Sequence, residues 1–175
     1  MPVLIVAAYD ENGTPNAMNA AWGTICDSDK IALIIDEDHK TTKNIRASGA
    51  FTVALADRKN IAPADFFGIA TGNKMENKFE KSRMTCTKSA FVNAPVIDAF
   101  PLTMECELCE IVETKTLHAV VGRIVNVAVE EAVLADDGKV DPKKLDAILF
   151  DQFRAGYYSI GEKVGQAWGD GKALM

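Results

Sequence analysis

The chain has 175 residues, 48% of them hydrophobic and 25% charged, with a formal net charge of -6. That length suits one folded unit with a core of its own, and the composition excludes general disorder. The acidic balance argues against nucleic acid or an anionic membrane as the main partner, because a polyanion needs a broad cationic face.

The start, Met1-Pro2-Val3-Leu4-Ile5-Val6, lacks the basic lead and small-residue cleavage site of a signal peptide. No apolar run approaches the roughly 20 residues that span a bilayer. A cytoplasmic protein is expected. Val3 to Ala8 reads as a buried strand, and Asp10-Glu11-Asn12-Gly13 as the hairpin turn after it. Asn16 to Ile25 is expected to be one returning strand, rich in small residues, and Ile31 to Ile35 a third. Asp36-Glu37-Asp38 is a polar turn. A short helix is predicted over Thr42 to Ser48, with Thr41 or Thr42 as N-cap and Gly49 as its left-handed stop. Phe51 to Leu55 follows as a strand. Pro63 can open a second helix, with Asp65 in its first turn. Thr71-Gly72-Asn73 reads as a turn, and Lys74 to Ser82 as a charged helix.

The second half is again strand-like. Thr103 to Val112 alternates, with Met104, Cys106 and Leu108 on one face. His118 to Val129 is a long β-branched run in which Gly122 marks a bulge. Asp136-Asp137-Gly138 is a turn, Asp141 caps a short helix beginning at Pro142, and Tyr157 to Ile160 is a last strand. There is no internal repeat, low-complexity tract or linker, so residues 1–175 are expected to form a single domain. Many short strands with hairpin turns predict a mostly β protein, a barrel with helical additions. A Rossmann fold is excluded by the missing Gly-x-Gly-x-x-Gly turn and by the irregular alternation of elements.

Hydrolytic and metal chemistry find little support. Gly-x-Ser-x-Gly, His-Glu-x-x-His and the phosphate-loop motif are all absent, and the two histidines, His39 and His118, lie far apart. Of the cysteines Cys26, Cys86, Cys106 and Cys109, the last two form a lone Cys-x-x-Cys. On a strand its members point to opposite faces, and zinc would need two more ligands. No metal is expected.

Two stretches carry chemistry. His39-Lys40-Thr41-Thr42-Lys43-Asn44-Ile45-Arg46 sets hydroxyls and cations at a predicted helix start, where free N–H groups and the dipole favour an anion such as phosphate. An ordinary N-cap with a solvated positive face is the plainer alternative. Asn16-Ala17-Met18-Asn19-Ala20-Ala21-Trp22-Gly23-Thr24 offers small side chains that let a flat ring approach the backbone. Here the alternative is a tightly packed sheet face with a core Trp.

In order along the chain, these stretches resemble the flavin reductase-like, FMN-binding split-barrel family, flavoredoxin type. Pro2-Val3-Leu4-Ile5-Val6 with Asn19-Ala20-Ala21-Trp22 is similar to its first hairpin. Thr41-Thr42-Lys43-Asn44-Ile45 is similar to its phosphate segment, and Gly49-Ala50-Phe51-Thr52-Val53 to the strand after it. Thr71-Gly72 followed by Asn77-Lys78-Phe79 resembles its Ser-Gly…Asp-Lys-Phe element. Glu105-Cys106-Glu107-Leu108 and His118…Gly122-Arg123-Ile124 resemble its long hairpin.

The resemblance implies a Greek-key split β-barrel that forms a homodimer, with FMN bound near the dimer interface. By position it implies that Asn19, Ala20, Ala21, Trp22 and Thr24 line the ring and ribityl chain. Lys40, Thr41 and Thr42 would take the phosphate, and Thr71, Gly72, Asn73 and Lys78 would close the site. The implied activity is an FMN-binding oxidoreductase with NADH or NADPH as electron donor. The alternatives are an FMN electron carrier serving a redox protein partner, or a flavin-binding module without turnover. Asn77 stands where the family has Asp. Thr116-Leu117-His118 stands where many flavin reductases have Gly-Asp-His, an element linked to pyridine-nucleotide use. His118 is read either as a nicotinamide contact or as a structural histidine.

Overall fold

Two strands that follow one another in the chain stand at opposite edges of one sheet, and this sets the architecture. The structure, a computed structural model, describes residues 1–175. Its seven-stranded antiparallel sheet comprises β1 (Leu4–Tyr9), β2 (Pro15–Ala20), β3 (Gly23–Asp27), β4 (Lys30–Ile34), β5 (Ala50–Leu55), β8 (Leu102–Glu113) and β9 (His118–Val129). The order across it is β2-β1-β5-β8-β9-β4-β3. Only Ala21 and Trp22 separate the two edge strands β2 and β3. A link that short reaches about 10 Å, so the sheet must curl until its edges meet. It closes as a split barrel, with the crossover from β2 to β3 at the split. The mostly β, split-barrel expectation agrees with this sheet.

The single returning strand expected over Asn16 to Ile25 is corrected here. The chain breaks at Ala21-Trp22 because the barrel corner must be turned there, and Trp22 O accepts from Ile34 N at 2.7 Å, which carries the β3–β4 ladder back to the corner.

β1 is buried on both faces. Leu4, Val6 and Ala8 point into the barrel with Leu33, Phe51, Val53 and Cys106. Val3, Ile5 and Ala7 point outward into a second core with Phe67, Phe79, Ile97 and Phe100. That second core is covered by α2 (Ile61–Ile69), α3 (Lys78–Lys81) and the small hairpin of β6 (Cys86–Lys88) and β7 (Pro95–Ile97). A central strand hidden on both sides reads as an unbroken apolar run rather than an alternating one.

The first helix, α1 (Lys40–Ser48), begins two residues earlier than predicted. Gly49 is its left-handed C-cap at φ 69°, donating to Ile45 O. The second helix starts at Ile61 and not at Pro63, which sits inside its first turn where a missing N–H costs nothing. The charged stretch from Lys74 to Ser82 is helical only over α3. In α4 (Pro142–Leu145) the Asp141 side chain accepts from Lys143 N at 2.8 Å, as predicted. A further hairpin, β10 (Ile148–Asp151) with β11 (Gly156–Ser159), packs against the barrel end. Its first strand was not predicted.

The β8–β9 ladder carries an extra residue, Cys109, between Leu108, which faces Gly122, and Glu110, which faces Val121. The bulge thus lies in the strand opposite Gly122. The glycine is required by packing, since a Cβ there would overlap the Phe51 ring. No helix is long and apolar enough to cross a membrane.

Candidate functional site

The start of α1 has no cap. His39 occupies the N-cap position, its side chain makes no capping bond, and the first turn holds no acidic residue. The expectation that Thr41 or Thr42 caps the helix is corrected: both lie inside it, and their hydroxyls are engaged elsewhere. Thr42 Oγ1 donates to Asp36 O at 2.7 Å, which pins the preceding turn. Thr41 Oγ1 accepts from Asn16 Nδ2 at 2.7 Å while 1% exposed. A hydroxyl that accepts from an amide keeps its own proton to donate. The first hydrogen bond into the helix runs from Lys43 N to His39 O at 3.1 Å, so the N–H groups of Lys40, Thr41 and Thr42 have no acceptor within the chain. Such groups, at the positive end of the dipole, make this corner favourable to an anion.

That corner opens on a cavity of about 260 Å³ whose wall includes Asn16, Asn19, Lys40, Thr41, Gly72 and Lys78. A second depression, about 420 Å³, adjoins it through Asn16, Lys40, Gly72 and Lys78. The turn at Thr71-Gly72-Asn73 is pressed onto α1 and β2. A Cβ on Gly72 would stand 2.5 Å from Asn16 Oδ1 and 3.1 Å from Lys40 Cγ. Asn73 Nδ2 donates to Asp38 O at 2.8 Å, tying the same turn to the lead into α1. Lys40 Nζ is held loosely, 3.9 Å from Asp10 Oδ2.

Lys78 is the buried cation of the site, 3% exposed. Its ammonium donates to Phe67 O at 2.9 Å and lies 5.9 Å from the Phe67 ring centroid. No carboxylate accompanies it, and loss of hydration lowers its pKa to about 8.

Asn19 also lines the cavity. Its Nδ2 donates to Ala64 O at 3.0 Å and to Tyr157 Oη at 3.5 Å. Both amide hydrogens are therefore spent, and Oδ1 is left as an acceptor with no partner in the chain. Tyr157 donates in turn to Asp65 Oδ1 at 2.8 Å, and its pKa is pushed up to about 12, first by burial and then by that carboxylate. Phe150 stacks obliquely against Tyr157 and meets Trp22 edge-on at 6.5 Å, joining the barrel corner to this wall.

The structure thus gathers Asn19, Lys40, Thr41, Thr71, Gly72 and Lys78 around one cavity, with Asn73 and Thr42 bracing it from behind. Ala20 and Ala21 are buried, Ala20 in the barrel core, while Trp22 and Thr24 are exposed at the corner and along β3. These four lie outside the cavity wall. His118 also lies outside it, across from Glu113 at the tip of the β8–β9 hairpin, with Nδ1 enclosed and unpartnered. Four wall residues carried no sequence signal: Phe67, Gly68, Ile69 and Ala70 leave the end of α2, and only Gly68, 3.3 Å in Cβ terms from Asn19, hints at a close approach. Cys106 is buried and Cys109 exposed, and all four cysteines are unbridged.

The flavin reductase like domain profile matches residues 1–151. In fold, the chain is similar to the flavoredoxin of Desulfovibrio vulgaris (Miyazaki F), with a TM-score of 0.92, 34% identity, and coverage of 98% of this chain and 92% of that one. It is similar also to the flavoredoxin of Methanosarcina acetivorans, with a TM-score of 0.91, 27% identity, and coverage of 100% and 92%. An uncharacterised protein of Aquifex aeolicus is 23% identical over 153 residues, 82% of this chain and 76% of its own length.

Proposed function

The chain belongs to the flavin reductase-like family, and from that premise we propose that it binds FMN at the start of α1 and acts as an FMN-dependent oxidoreductase. The observation that carries this reading is the uncapped helix start: its free N–H groups lie beside a cavity whose wall holds Lys40 and Thr41, the latter with a spare hydroxyl proton. A monoester dianion matches that donor set, and a neutral ligand would leave it unsatisfied.

When bound, FMN itself supplies the hydride and electron chemistry. The chain's residues bind and orient. Lys40 and Thr41, with the α1 amides, would hold the phosphate. Gly72 lets the 71–73 turn close against that corner, and Lys78 adds a buried positive charge at the shared wall of the two depressions. Asn19, fixed by Ala64 and Tyr157, offers only its Oδ1, so it selects an N–H edge of the ring. Trp22, Ala20, Ala21 and Thr24 would reach the flavin only along the open corner of the barrel, where a second copy in a homodimer would enclose them.

NADH or NADPH is the proposed donor, with reduced flavin passing electrons to an acceptor. His118, at the far hairpin tip, is not needed for that step in this reading. The test is an anaerobic spectrum of the purified protein before and after NADH, followed by FMN titration. A colourless protein that ignores FMN would refute the proposal. A yellow protein that oxidises neither nucleotide would leave the cofactor standing and move the donor role to a redox protein partner.

A further inference from the structure

Beyond the β10–β11 hairpin the chain leaves the body of the molecule and does not return. Every hydrogen bond made by residues 160–175 stays within that segment, among them Lys163 Nζ to Gln166 Oε1 at 2.6 Å and Gln166 N to Asp170 Oδ2 at 2.9 Å. The segment therefore has a local shape and no tie to the barrel. It is also apolar where it is most exposed: Val164, Leu174 and Met175 are bare, and Trp168 is 94% exposed. It lies beyond residues 1–151, the span that the family profile matches.

At its root is an open apolar depression of about 560 Å³ that includes Met1, Leu149, Phe150, Phe153 and Tyr158. Phe153 is 98% exposed there. Phe153 and Trp168 carry roughly 300 to 500 Å² of ring surface between them. With Val164, Leu174 and Met175 the apolar area approaches the order of 800 Å² per partner that a stable protein interface buries.

We propose that residues 160–175 form an exchanged arm that packs on a second copy of the same chain, in the depression formed by Met1, Leu149, Phe153 and Tyr158. Arm and depression sit side by side on one molecule, so a two-fold axis seats each arm in the other copy's depression at once. That is the self-complementary arrangement a closed dimer requires. The segment carries two acidic and two basic residues, Glu162, Asp170, Lys163 and Lys172, so no net charge opposes its approach to an identical chain. The inference rests on the homodimer reading above and names the element that holds the dimer.

The experiment compares the full chain with a version ending at Ser159, by light-scattering mass from nanomolar to micromolar concentration. A second full-length variant, Trp168→Ser with Leu174→Ser, keeps the chain length and guards against a truncation that fails to fold. The expected result is a dimer for the full chain and dimerisation weakened at least 100-fold in both variants, with circular dichroism showing an intact fold. Trp22→Phe leaves Trp168 as the sole tryptophan, since the chain has two. Its emission is expected to be blue-shifted at micromolar concentration and to move to the water-exposed value on dilution. Undiminished dimerisation without the arm overturns the proposal and leaves the homodimer standing. A monomeric full chain overturns both. Blue emission that ignores dilution overturns it in favour of an arm folded back on its own chain.

Discussion

Thr41 joins two demands on one hydroxyl. It satisfies the buried amide of Asn16 and keeps a proton for a ligand. Thr41→Val should therefore cost about 1–3 kcal/mol of stability, because Asn16 Nδ2 is left buried and unpaired, and should weaken FMN binding about tenfold. Thr41→Ser should recover both, and fluorescence titration with chemical denaturation reads the two effects separately. Lys78 gives a pH signature. Its folded pKa of about 8 lies below the unfolded value of 10.5, so the unfolded chain holds more protons between those limits. Stability of the flavin-free protein should rise with pH from about 8 toward 10.5, by up to roughly 3 kcal/mol. Below pH 8 the buried charge is a full cost. Lys78→Met should abolish the rise in a denaturant series taken across that window. A nearby phosphate would raise the Lys78 pKa, so FMN affinity should be full below pH 8 and fall above it in the parent protein alone. A parent whose affinity is flat across pH 8 would separate Lys78 from the ligand.

Helix α1 shows how an element's ends can be set from outside it. Its C-terminus is local: Gly49 adopts positive φ, and the stop is readable from the residue type. Its N-terminus is not, because the two threonines that look like caps are drawn to Asn16, 25 residues away, and to the Asp36 carbonyl. The start moves back to His39, and the amides are left open. The turn over that start depends on Gly72. Gly72→Ala places a methyl group against Asn16 and Lys40, and it should lower FMN affinity with little loss of thermal stability, since the turn is on the surface. Gly122→Ala is the opposite case. It strikes the Phe51 ring inside the barrel and should cost about 1–3 kcal/mol, read as a drop in Tm with flavin affinity per folded molecule unchanged.

At the scale of the whole molecule, one strand serves two cores. β1 packs the barrel interior with one face and the α2–α3 layer with the other. Ile5 is fully buried on the outer face, so Ile5→Ala should cost 2–5 kcal/mol by the usual range for core truncation. It should also loosen the layer that carries Phe67 and Lys78, so that FMN affinity falls with stability. A urea series with and without FMN tests the coupling: a stability loss with unchanged affinity would show the two layers to be independent. The β6–β7 hairpin is tied to the same frame through Thr52 Oγ1, which donates to Pro95 O at 2.6 Å, and through Glu105, which accepts from Ser89 and Asn126.

Residue types and their spacing determined the mostly β character, the β1–β2 turn, the Gly49 stop, the Asp141 cap and the grouping of hydroxyls and cations near residue 40. Each is a local property, set by backbone sterics or by groups a few residues apart. The three-residue strands β6 and β7 and the strand β10 escaped because so short a run has no readable period. Only the tertiary structure decided that the strand after Asn16 breaks at Ala21-Trp22, since the break answers to barrel closure and not to those two residues. The same holds for the cavity. Asn16, Lys40, Gly72 and Lys78 meet because the sheet curls and α2 lies across it, and contacts between residues that far apart in the chain leave no trace in local pattern.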